Sequence, residues 1–386
     1  MNWKVLVGIL IAFIFVATSV PRLTRRVPRF EPPMHRELLS WGTLDREKAR
    51  ALQSVLDEKV NSLKVPGLQA FVRTPDGKTW SGTSGTTDLA RKDPLRRDHV
   101  MRVGSVTKSF TAVLILKLIE EGQLSLDEPV AKWSPELPNA EAITVRHLLN
   151  HTSGIPDIIP RVMMRSIMPW TTWELKELAA MGAKNELLFA PGSDFAYSNT
   201  NYILLGMIAE EVSGRTFDEL LHEQILDPLN LTNTSFIPYE EAPADLVPGW
   251  DRDFSSFPGM LDIGVNNTSW ATSAFASGAL ASTADDLGVF FQHLVEGAIL
   301  SSSMMKEMTT FMAAPNPDLP AQNGYGLGLM RLEVGGQELY GHVGWFMGST
   351  SIAMVAPDDG TVIAVTSNLS RPDLVQVLAE LQASIE

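Results

Sequence analysis

The chain has no cysteine among its 386 residues. That excludes disulfides, thiolate-bound metals, iron–sulfur clusters, a cysteine nucleophile and a lipidated N-terminal cysteine. Positive charge is scarce as well. Lysines and arginines number 31 against 45 acidic residues, a formal net charge of −14. After the N-terminal segment there is no long basic stripe, so the electrostatic footprint of a nucleic-acid binder is missing. No repeat, low-complexity tract or second linker follows residue 44. No Gly-x-Ser-x-Gly elbow occurs, which argues against an α/β-hydrolase. His147 and His151 are four apart, but Leu148 stands where a zinc-binding His-Glu-x-x-His helix needs glutamate. Their sequence context points to helix ending and packing. Gly77-Lys78-Thr79 has the tail of a phosphate-binding loop, yet Val72 occupies the place of its first glycine.

What is present suffices for a sizeable core, with 45% apolar and 20% charged residues. At about 150 residues per domain the length allows more than one. The first residues differ from the rest. Lys4 precedes an apolar run from Val5 to Ala17, followed by Thr18, Ser19, Val20 and Pro21. A positive start, a short apolar stretch and a small-residue exit fit a secretory signal. Arg22, Arg25, Arg26 and Arg29 follow at once, and such charge hinders export and favours an uncleaved anchor. With Val20 the run approaches the ~20 residues of a spanning helix. Residues 1–21 therefore read as a signal peptide or an N-terminal membrane anchor. Either places the protein in the periplasm or cell envelope, secreted or held at the inner membrane. Four prolines, Pro21, Pro28, Pro32 and Pro33, mark 22–44 as a linker.

Residues 46–63 carry Ala49, Leu52, Val55, Leu56, Val60 and Leu63 at helical spacing. Gly67–Thr74 and Thr79–Ser84 read as strands around the turn Pro75-Asp76-Gly77. From about 107 to 300 the chain is mostly helical patches separated by proline and glycine. Strands then return. Tyr325–Val334 and Gln337–His342 flank the hairpin signal Gly335-Gly336. Ser349–Ala356 and Thr361–Ser367 flank Pro357-Asp358-Asp359-Gly360, and a helix, Asp373–Ile385, closes the chain. This order predicts an α/β fold of the α+β type in one domain, 45–386. Its antiparallel sheet is built from both chain ends, with a helical region, about 110–300, inserted.

Three short segments could carry chemistry. In Val103-Gly104-Ser105-Val106-Thr107-Lys108, the serine precedes a strong helical run. Residues three apart share a helix face, so the Lys108 amine can reach the Ser105 hydroxyl. A serine is a weak nucleophile until a base takes its proton. Free N–H groups at the helix start suit a developing oxyanion. Taken alone, the spacing is common in helices, and the plainer reading is that Ser105 caps the helix and Lys108 faces solvent. In Tyr197-Ser198-Asn199, the tyrosine is a poor base at its normal pKa near 10 unless a cation lowers it. Lys108 would be that cation, and the plain alternative is a core tyrosine beside a turn asparagine. In Gly341-His342-Val343-Gly344-Trp345, at a strand end, Gly344 would let a ligand approach the backbone. The Trp345 N–H would supply a second oxyanion donor. A lone histidine such as His342 is more often structural.

In this order and at these separations, Ser-x-x-Lys, Tyr-x-Asn and His-x-Gly resemble the serine β-lactamase and penicillin-binding-protein family. The similarity is to its class C β-lactamase-related branch, which includes D-Ala-D-Ala peptidases and esterases. It extends over roughly 45–385 and includes the flanks Arg146–Ile155, Tyr197–Tyr202, Gly278–Leu287 and Tyr325-Gly326-Leu327-Gly328. The resemblance implies a serine hydrolase acting on an ester or amide through an acyl-enzyme, with no metal or organic cofactor. Ser105 would be the acylated nucleophile. Lys108 would hold a shared proton and depress the Tyr197 pKa, and Tyr197 would be the general base. Asn199 would bind substrate or orient Lys108. The N–H groups of Ser105 and Trp345 would form the oxyanion hole, and His342 and Gly344 would line the substrate's strand edge. The chain departs from the family where Lys-Thr-Gly is often found. His342 is mostly neutral at pH 7 and Val343 lacks a hydroxyl, so a substrate carboxylate loses its cation and one donor. That favours a small-molecule or peptide ester or amide without an obligatory carboxylate. A membrane-anchored acylated sensor that does not turn over is the alternative. Trp170, Trp173, Trp250, Phe254, Phe257 and Trp270 would be mostly core, with a few walling the pocket. Met163, Met164 and Met168 would either pack or form a mobile apolar segment at its mouth.

Overall fold

A computed structural model describes residues 40–88, 93–159, 161–162, 172–184, 186–251 and 268–385. The N-terminal apolar run, most of the linker, Met163, Met164, Met168, Trp170, Phe254 and Phe257 lie outside the described residues. In chain order the elements are β1 (Ser40–Gly42), α1 (Arg46–Ser62), β2 (Gly67–Arg73), β3 (Thr79–Gly85), β4 (Met101–Arg102), α2 (Thr107–Glu120), α3 (Val145–Leu149), α4 (Leu175–Ala183), α5 (Asn199–Ser213), α6 (Phe217–Leu221), β5 (Ser235–Phe236), α7 (Thr268–Ala274), β6 (Leu280–Ser282), α8 (Ala284–Val295), α9 (Ser302–Met308), β7 (Met312–Ala313), β8 (Gln322–Tyr325), β9 (Met330–Val334), β10 (Gln337–Phe346), β11 (Ser349–Val355), β12 (Val362–Ser367) and α10 (Leu374–Ala383).

Nine strands form one antiparallel sheet in the order β1-β3-β2-β12-β11-β10-β9-β8-β7. The two chain ends meet at its centre, where Val365 of β12 faces Ala70 of β2. Side chains of a strand alternate between faces, and both faces here are covered. In β12, Ile363 and Val365 join the core beneath α1 and α10. Val362 and Ala364 join the larger core beneath the helical region. A strand buried on both faces needs a continuous apolar run, which Val362–Val365 supplies.

The helices start where local chemistry allows. Asp45 caps α1 by accepting from the backbone N–H of Glu47 and Lys48 at 3.1 and 3.0 Å. Leu52, Leu56 and Val60 then line one face at helical spacing and are fully buried. Asp373 caps α10 through the Gln376 N–H at 3.0 Å. By contrast α2 is buried almost all round, from Thr107 to Leu116. A helix apolar on every side belongs in a core, and α2 is the post on which the site is mounted.

One predicted strand is broken. Tyr325–Val334 divides into β8 and β9 around a turn at Gly328, whose φ is 76°. A Cβ on Gly328 would lie 2.4 Å from the Ala112 Cβ of α2. The Gly328 carbonyl also accepts from the Ser109 hydroxyl at 2.8 Å. This close approach pulls the chain out of the sheet. The hairpin at Gly335-Gly336 forms as expected, with φ of 61° and 83°. Conversely, β10 runs on past His342 to Phe346, carrying the third segment along the sheet. No helix among the described residues is long and apolar enough to cross a membrane.

Candidate active site

Two glycines press the serine turn against β10. Gly104 has φ 52°, and a Cβ there would lie 2.4 Å from the Trp345 carbonyl oxygen and 2.8 Å from its nitrogen. A Cβ on Gly344 would lie 1.9 Å from the Val103 carbonyl oxygen. The Ser351 hydroxyl donates to that same carbonyl at 2.7 Å. Gly344 therefore admits the chain's own backbone, where the sequence suggested a ligand. The consequence is useful all the same, because the Trp345 backbone comes to lie one residue from Ser105.

Ser105 lies half-buried on a short turn just before α2, and Lys108 lies fully buried in the first turn of that helix. The Lys108 Nζ is 3.1 Å from the Ser105 Oγ, 2.8 Å from the Asn199 Oδ1 and 2.7 Å from the Ser277 carbonyl oxygen. The last two can only accept. A neutral amine has two N–H bonds, which they take, and its lone pair is left facing the serine hydroxyl. Burial pushes the Lys108 pKa down to about 7, against the opposing charge of Asp157. A lysine in this state can remove a serine proton near neutral pH.

Tyr197 lies just before α5, with Asn199 opening that helix. The Lys108 Nζ stands 4.8 Å from the Tyr197 ring centroid. The Tyr197 hydroxyl is buried, and among the described residues no hydrogen bond of ordinary geometry reaches it. Burial raises its pKa well above the normal phenol value, and the nearby Ser105 only partly counters that rise. The depressed tyrosine pKa expected from the sequence is thus absent. The Lys108 amine meets the ring face, and removal from water dominates the shift.

His342 is fully buried beside Tyr197, with ring centroids 6.3 Å apart. Its Nδ1 lies 2.7 Å from the Val343 carbonyl oxygen and must carry the proton there. Its Nε2 then accepts from the Tyr325 hydroxyl at 3.0 Å. Burial, then the charge of Lys108, push the His342 pKa down to about 3. At pH 7 it is a neutral ring held in one tautomer. Trp345 stays half-buried, and the Arg371 guanidinium lies 4.5 Å above its ring centroid.

Ser105, Lys108, Tyr197 and Asn199 are therefore brought together, with Trp345 beside them. His342 and Gly344 sit one layer behind, on the protein's own atoms. His147 and Thr144 cap α3 reciprocally, at 3.2 and 3.4 Å. His151 is a packing residue: its Nδ1 accepts from the Ser198 N–H at 3.2 Å, and its ring lies 4.4 Å from that of Tyr197. Among the described residues no group of three or more histidines and carboxylates could hold a metal. The sequence reading missed two partners. The Ser277 carbonyl is backbone and leaves no residue signature. Asp157, whose Oδ2 accepts from the Asn199 Nδ2 at 2.9 Å, stands just beyond the Arg146–Ile155 flank with nothing to single it out.

A family-wide sequence profile described as Beta-lactamase matches residues 52–386. This chain belongs to the β-lactamase family. A D-stereospecific amidohydrolase from Streptomyces sp. is 34% identical and superposes with a TM-score of 0.74, over 85% of this chain and 97% of that one. Penicillin-binding protein 4* of Bacillus subtilis is 32% identical over 160 residues, 39% of this chain and 33% of its own. Esterase EstB of Burkholderia gladioli is 28% identical over 206 residues, 50% of this chain and 52% of its own. The match thus spans from a third to about half the length of these two curated relatives. The expected architecture, a mixed α/β fold with a large antiparallel sheet flanked by helices, is present, and the Streptomyces amidohydrolase shares it.

Proposed function

We propose that this β-lactamase-family protein hydrolyses an ester or amide through an acyl-enzyme on Ser105. The observation that carries this reading is the set of three partners around Lys108, two pure acceptors and one hydroxyl. The neutral Lys108 amine takes the Ser105 proton as Oγ attacks the substrate carbonyl carbon. The oxyanion meets the backbone N–H groups of Ser105 and Trp345. The Lys108 ammonium returns its proton to the departing alcohol or amine, directly or through the Tyr197 hydroxyl. Water then attacks the ester by the same route in reverse, releasing the acid and restoring Ser105. Tyr197 works as a neutral relay, because its phenolate is disfavoured by burial.

The substrate carries no obligatory carboxylate. Where many relatives present lysine and threonine, this site has a neutral His342 and an apolar Val343. The names of the relatives, an amidohydrolase and an esterase, agree with that preference. The N-terminal apolar run supports export to the cell envelope.

The test compares nitrocefin, a short-chain p-nitrophenyl ester and a D-Ala-D-Ala peptide, each with the wild type and Ser105→Ala. The ester should turn over fastest, with a transient acyl adduct on Ser105 by mass spectrometry. Ser105→Ala should lose activity by about 10³-fold or more. Turnover that survives this substitution would refute the reading. An adduct that persists for hours would make the protein an acylated sensor instead.

A further inference from the structure

Asn199 can present either end of its amide to Lys108. With the Nδ2 group toward the lysine, a donor would face a donor. The orientation observed is the opposite one, and a hydrogen bond explains it. The Asn199 Nδ2 donates to the Asp157 Oδ2 at 2.9 Å, which leaves Oδ1 to accept from Lys108 at 2.8 Å. The second carboxylate oxygen is engaged too, since Oδ1 accepts from the backbone N–H of Ile159 at 3.0 Å. Both oxygens of Asp157 thus receive donors. An asparagine here could satisfy only one of them and would turn an N–H toward the other.

We propose that Asp157 is a positioning residue that fixes the Asn199 amide and so aims the Lys108 lone pair at Ser105. The proposal rests on the acyl-enzyme reading of the same site. Asp157 also supplies charge. Among the described residues, the titratable groups facing Lys108 are Asp157, Tyr197, Tyr202, His151 and His342. Burial keeps both tyrosines protonated and both histidines neutral. Asp157 is the acidic group whose charge acts on Lys108. Its negative charge favours the ammonium form and keeps the Lys108 proton affinity from falling further.

The experiment uses Asp157→Asn and Asp157→Ala in the full chain, with Ser105→Ala alongside. The first readout is the 13Cε signal of Lys108 in lysine-labelled protein, identified by its loss in Lys108→Met. This needs no turnover, so it reports on Asp157 even if the acyl-enzyme reading fails. The Lys108 midpoint should move to lower pH in Asp157→Asn, because a charge is lost and an amide donor is turned toward Asn199. The second readout is ester hydrolysis. The acid limb should shift the same way, and kcat should fall about tenfold to a hundredfold with KM little changed. Should Asp157→Ala fail to fold, the nearly isosteric Asp157→Asn still decides. An unmoved Lys108 midpoint would overturn the proposal. So would a rise in KM at constant kcat, which would make Asp157 a substrate contact. Loss of the proposed hydrolysis in the wild type itself, with the midpoint shifted as expected, would break the acyl-enzyme reading and leave the positioning role standing.

Discussion

The two faces of the central sheet each bury a lysine, and the two lysines are kept differently. Lys59 of α1, 3% exposed, meets the Glu380 carboxylate of α10 at 2.5 Å and that of Glu58 at 3.7 Å. Lys108 of α2, 0% exposed, meets an amide oxygen, a backbone carbonyl and a hydroxyl. Among the described residues the negative charge that acts on it is that of Asp157, one amide away. The first arrangement is an ion pair that ties α1 to α10 on one face of the sheet. The second provides hydrogen bonds without a matching charge. Burial then favours the neutral amine, the form that the proposed mechanism needs. Burial alone does not make a lysine reactive; the charge of its partners decides.

Exchanging each lysine for methionine should separate these roles. Lys108→Met should produce the larger effect, lowering kcat for ester hydrolysis by about 10²–10⁴-fold. It should not lower stability at neutral pH, because a poorly compensated buried amine is removed. The pH dependence of unfolding sharpens the point. Burial pushes the Lys108 pKa in the folded protein down to about 7, from an ordinary lysine value of 10.5. Between these values the unfolded chain binds more protons, so stability rises with pH through this window. Below about 7 the full cost of burying the amine is present, on the order of a few kcal/mol. Lys108→Met should abolish that rise in urea titrations run from pH 6 to 10. A rise of equal size in the variant would assign it to other groups.

Lys59→Met should do the reverse at smaller scale. Its partner Glu380 is 38% exposed and can return to water, so the loss should be on the order of 1 kcal/mol. Turnover should stay within about twofold of wild type, since α1 and α10 lie across the sheet from the serine. A large loss of activity without a loss of stability would break the comparison.

How much of this could be read from the sequence follows from the range of each interaction. Ser105 and Lys108 are three residues apart, on the turn that leads into α2 and in the first turn of that helix, so their contact is local and was visible. The hairpin at Gly335-Gly336 was visible for the same reason, and so was a sheet built from both chain ends. The direction of the Tyr197 shift was not, because burial is set by rings from distant segments, among them His151 and Tyr325. The purpose of Gly344 was hidden likewise. The backbone it accommodates lies about 240 residues away, at Val103. Asp157 acts through the side chain of Asn199, and an indirect partner leaves no spacing to recognise.

The most direct test of the account is the pH dependence of Ser105 acylation in a single turnover, with wild type and Tyr197→Phe side by side. If Lys108 is the base, acylation rises through about pH 7 in both proteins, and the variant is slower without its limb moving. If removing the phenol abolishes that limb, Tyr197 is the group that titrates, and the assignment of Lys108 as the base is wrong.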